Sequence, residues 1–170
     1  MLFVYFVENL ILNQIIMIRK VLKSSSKLLF LLCFFFLVSY VNAQESKDLL
    51  SKAINETSDQ TRGVIKEDTG AFRLDYDDVY EKDTHAKFLQ GKGFHGGGPS
   101  WLGIIYGAFT LCGDELISKT DSDISVTGVS FWSESKDDLE KIRRVIAVLK
   151  GNETILMEAI EIAKKDDMML

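Results

Sequence analysis

The sequence predicts an α+β fold: a small antiparallel sheet packed with several helices, forming a single domain after a cleaved signal peptide. Three observations lead there. Phe72, Leu74 and Tyr76 alternate with Arg73, Asp75 and Asp77, as a strand with one apolar face requires. Trp101, Ile104, Ile105, Ala108 and Phe109 recur at helical spacing in a stretch, Ser100 to Gly113, that carries no charge and so must be covered on most sides. Two further amphipathic patterns close the chain, so helices flank the strands rather than alternating with them as a parallel sheet demands.

The domain itself is expected over 44–170. Residues 17–43 have the three parts of a secretory signal: Arg19, Lys20, Lys23 and Lys27 without an acid, the apolar run Leu28 to Val38, and Val41-Asn42-Ala43 ahead of Gln44. Cleavage is predicted after Ala43, with a periplasmic or secreted address and membrane contact only through the signal before cleavage. The apolar run is shorter than the ~17 to 20 residues of a membrane span. Residues 1–16, apolar but broken by Glu8, Asn9, Asn13 and Gln14, read as an upstream extension ahead of a start at Met17.

Within the domain, Leu49, Leu50, Ala53 and Ile54 place a helix over 44–59. A hairpin follows, Val64 to Lys66 and Ala71 to Tyr76, turning at Asp68-Thr69-Gly70. Thr84 to Gln90 forms a short helix closed by Gly91. His95, Gly96, Gly97, Gly98, Pro99 and Ser100 make a loop that feeds the uncharged helix, with Ser100 as its capping hydroxyl, Trp101 as a core anchor and Gly113 as its left-handed cap. Ile124 to Trp132, rich in β-branched and aromatic residues, reads as a third strand in a central or covered position, in which Gly128 marks a bulge or a close approach. Ser135 and Asp138 open a helix through Leu149 that ends at Gly151. Asn152 caps a last helix with Lys164 and Lys165 at its negative end.

Charge and composition narrow the function. The whole chain carries a formal charge of −5, and residues 44–170 hold sixteen basic against twenty-four acidic side chains, a formal charge of −8. Nucleic acid is a poor partner for such a surface, and a basic protein a good one. Asp75, Asp77, Asp78, Tyr80 and Glu81 concentrate carboxylates beside amphipathic rings and are the candidate partner-binding patch; the plainer reading is a solvated strand end. The patch lacks the glycine of a calcium loop.

No catalytic residue, metal ligand or cofactor is assigned. His95-Gly96-Gly97-Gly98 resembles a hydrolase oxyanion loop, yet the chain has no Gly-x-Ser-x-Gly elbow. Two histidines, His85 and His95, and Cys112, the single cysteine after position 43, fall short of a four-ligand zinc site. Cys112 is expected to be a buried, inert thiol. The loop's free amides could hold an anion at the helix start, although the glycines equally suit a tight turn beneath Trp101.

Phe94 to Gly107, followed by Glu115-Leu116-Ile117, the strand with Trp132 and the helix from Lys136 to Leu149, resembles the bacterial polymorphic-toxin immunity proteins known as immunity protein fifty-one. The resemblance spans Phe88 to Lys164. It implies an α+β antidote without catalysis that binds and neutralises a cognate toxin. Gly96, Gly97, Gly98 and Trp101 match the motif in a structural or partly interfacial role. Many relatives read Gly-Asn-Gly-Tyr-Asp-Trp where this chain reads Gly-Gly-Gly-Pro-Ser-Trp, and an exported antidote implies a toxin acting in the periplasm. The alternative is a small periplasmic protein that binds a ligand or anion through the Gly-rich loop.

Overall fold

The computed structural model describes residues 44–77 and 84–169, so the predicted signal segment, the predicted upstream extension and the acids at 78 and 81 with Tyr80 lie outside the described residues. The fold is α+β, with helices on one face of a four-stranded antiparallel sheet in the order β1-β2-β4-β3. Strands β1 (Val64–Asp68) and β2 (Ala71–Tyr76) form the predicted hairpin. Their turn needs only two residues, because Thr69 and Gly70 both adopt positive φ, 50° and 90°, which matches the twist of the flanking strands.

The third predicted strand is in fact a second hairpin. β3 (Asp121–Ile124) and β4 (Val129–Ser133) pair across a turn at 125–128. Ser125 closes it: its N–H donates to the Gly128 carbonyl at 2.9 Å, and its hydroxyl accepts from the Gly128 N–H at 2.9 Å. Val126 and Thr127 continue the β-branched run through the turn, which is why the pattern reads as one strand. β4 is central as expected, and β3 is an exposed edge.

Helix α1 spans 44–55 and stops four residues short of its predicted end. α2 (Thr84–Gly91) forms as predicted. α3 (Gly98–Cys112) begins two residues before Ser100, with Gly97 as its cap residue and Pro99 in the first turn. The Ser100 hydroxyl therefore does not cap the helix; it accepts the Gly96 N–H at 3.0 Å and pins the loop to it. Gly113, at φ 73°, is the left-handed cap expected. A 3-10 turn, Leu116–Lys119, was not expected; the Asp114 carboxylate starts it by accepting the Leu116 N–H at 2.7 Å. α4 (Lys136–Gly151) and α5 (Glu153–Lys165) carry the predicted caps, Ser135 accepting from the Asp138 N–H and Asn152 from the Ile155 N–H.

The core lies between the sheet and the α3–α4 layer, with α5 packed behind α3. Leu74, Tyr76, Val129 and Phe131 face Trp101, Ile104, Ile142 and Ile146, all essentially solvent-free. Trp101 is the anchor expected, its ring meeting Tyr76 edge-on at 5.5 Å and 78°. No helix among the described residues is long and apolar enough to cross a membrane.

Candidate functional site

The Gly-rich loop is built into the architecture. Gly96 (φ 79°) and Gly98 are buried, and a Cβ at Gly98 would collide with the carbonyl oxygens of Ser125 and Gly128. The Gly98 N–H points to the Val126 carbonyl at 3.4 Å, while the Gly96 N–H is taken by Ser100 and Pro99 has none to offer. Of the amides that an anion would need, that of Gly98 thus holds the β3–β4 turn against the start of α3, and that of Gly96 is taken up at the helix start itself. His95 remains exposed, its carbonyl accepting from the Gln90 side chain at 3.4 Å.

The predicted acidic patch divides. Asp77 is exposed at the end of β2, beside Gly128, whereas Asp78, Tyr80 and Glu81 fall outside the described residues. Asp75 is no free carboxylate. Its side chain is 11% exposed and ion-pairs with Lys66 and Arg73, both at 3.0 Å, while accepting the Ser130 hydroxyl at 2.9 Å. Burial alone would raise its pKa, but the hydrogen bonds from Lys66, Ser130 and Arg73 outweigh it and hold the carboxyl below the usual carboxylate range.

Asp75 belongs instead to an ordered network on the outer face of the sheet. β-Strand alternation turns Leu74, Tyr76, Val129 and Phe131 to the core, and by the same rule presents Lys66, Asp68, Arg73, Asp75, Ser130 and Trp132 outward. In register, Lys66, Arg73, Trp132 and Asp121 form one row across all four strands, and Asp75, Ser130 and Asp123 form the next. Trp132 donates its indole N–H to Asp68 at 3.2 Å, and Arg73 reaches the same carboxylate at 3.5 Å. The Trp132 bond, then one from Thr69, holds the Asp68 carboxyl below its ordinary range. The result is an indole and a guanidinium fixed side by side on a solvent-facing sheet, an arrangement suited to protein recognition. Sequence reading singled out Trp132 only as part of a strand, because its partner Asp68 lies 64 residues away.

Cys112 is half-buried rather than buried. Burial pushes its thiol pKa up, and the thiol faces the Ala108 and Phe109 carbonyls at 3.3 Å, which suits an unreactive group. Among the described residues no three His, Cys, Asp or Glu side chains converge as a metal site would require. No family model, curated protein or solved structure matches the chain.

Proposed function

We propose that this chain is an exported, non-enzymatic immunity-type protein that binds and neutralises a cognate bacterial toxin, and that the outer face of the sheet is its binding surface. The observation that carries the reading is the preorganised Trp132–Arg73–Asp68–Asp75 network on that face. A rigid aromatic and an arginine, held before a partner arrives, lose little entropy on binding. The face carries Asp68, Asp75, Asp121 and Asp123 against Lys66 and Arg73, so it complements a basic partner, in keeping with the −8 charge of residues 44–170. The Gly96–Trp101 motif supports the immunity class through resemblance, in a structural role. Ligand binding by the Gly-rich loop draws less support, since two of its amides are engaged internally.

The test uses the full chain as bait in an envelope extract of its own organism, with bound proteins identified by mass spectrometry. One dominant basic protein encoded beside this gene is expected, with capture weakened by Trp132→Ala, by Asp121→Asn with Asp123→Asn, and by added salt. Capture of no protein sinks the immunity reading. Capture indifferent to all three changes leaves that reading standing but removes the sheet face from it.

A further inference from the structure

A second feature lies between α1 and α4. Arg144, in the middle of α4, is only 7% exposed. Its Nε donates to the Ala53 carbonyl at 2.6 Å and its Nη2 to the Ile54 carbonyl at 3.2 Å, so it closes the C-terminal end of α1, where those oxygens lack helical partners. Two of five N–H donors are thereby satisfied. No carboxylate lies within ion-pairing distance of this guanidinium among the described residues, although a buried charge is ordinarily paired.

The same guanidinium lines a groove of about 460 Å³ between α1, the segment after it and α4. That volume is within the ~300 to 1,000 Å³ typical of small-molecule sites. Leu49, Ala147 and Val148 supply an apolar wall, and Leu49 is 39% exposed. On the polar side stand Lys52, Glu56 and Ser58. The Ser58 hydroxyl already accepts the Gln60 N–H at 3.1 Å, which leaves its own proton to donate. Lys52 faces Glu56 at 3.7 Å in an exposed pair that holds neither tightly.

We propose that this groove binds a small organic carboxylate, its anionic end on Arg144 and its apolar body against Leu49, Ala147 and Val148. The ligand supplies the missing countercharge, and a guanidinium already fixed by two carbonyls is preorganised to receive it.

Phenylacetate, titrated into the full chain by calorimetry, is the probe, with phenylacetamide as its uncharged counterpart. Saturable binding of phenylacetate is expected, with the amide weaker by about tenfold or more. Arg144→Gln should abolish the difference. Because that change also uncaps α1, Ala147→Phe provides an independent arm: it fills the groove, leaves the guanidinium and its two carbonyls in place, and should abolish binding while the protein still melts cooperatively. Equal affinity for acid and amide, no saturable binding of either, or undiminished phenylacetate binding by a folded Ala147→Phe protein overturns the proposal.

Discussion

The contact between α3 and α5 and the outer face of the sheet are made of opposite materials. Along α3, Gly103 and Gly107 sit directly beneath the Met168 and Ala159 carbonyls, and a Cβ at either would collide with that backbone. The sheet face instead spends charged and aromatic side chains on bonds to one another, at 2.9 to 3.5 Å, and keeps them in contact with water. The first region has no room for a ligand or partner, so its glycines serve packing. The second is ordered and accessible, which is what recognition needs. The conspicuous motif and the ordered, accessible surface are therefore separate things in this protein.

The sharpest way to break that contrast is at the core. Trp101→Ala should cost ~3 to 5 kcal/mol by opening a cavity beneath Tyr76, read as a lower denaturation midpoint; an unchanged midpoint would mean that the motif tryptophan is not an anchor. Gly107→Ala comes next, at ~1 to 3 kcal/mol, because α5 must shift to admit one methyl group. If Gly107→Ala melts like the parent, the close packing of α3 on α5 is wrong.

The outer face should respond more gently and mainly through protons. Asp68 and Asp75 have folded pKa values below their unfolded ones, so the unfolded chain binds more protons in acid. Their contribution to stability is fully present above the ordinary carboxylate pKa and is lost as pH falls through it toward the depressed folded values. Melting temperature should thus drop between about pH 5 and pH 3, and Asp75→Asn should flatten part of that slope. A slope identical in the variant would detach Asp75 from the network. Smallest of all is Lys66→Ala: its ammonium is 56% exposed, and such a pair contributes roughly 0 to 1 kcal/mol. A larger loss would show the rim to be more than solvated charge.

Local chemistry made much of the fold legible. The caps at Ser135 and Asn152 act within three residues, the Thr69-Gly70 turn within two, and the strand alternation of Phe72, Leu74 and Tyr76 within five, so each is visible in a short window of sequence. The candidate sites were less legible. Asp75 looks like any solvent-facing acid until β4 brings Ser130 opposite it, 55 residues later. Arg144 looks like a solvated helix residue beside Arg143 until the end of α1, some 90 residues earlier, delivers two carbonyls to it.

Residue order alone was enough for the helices, the first hairpin, the buried tryptophan and the acidic balance, because propensity, periodicity and charge are properties of neighbours along the chain. Tertiary packing decided the rest. It turned one apparent strand into a hairpin, because the turn at 125–128 is held against Gly98 and Tyr76 by contacts no local pattern encodes. It also chose which charged groups are buried, paired or left facing a groove, since that depends on what arrives from distant parts of the chain to satisfy them.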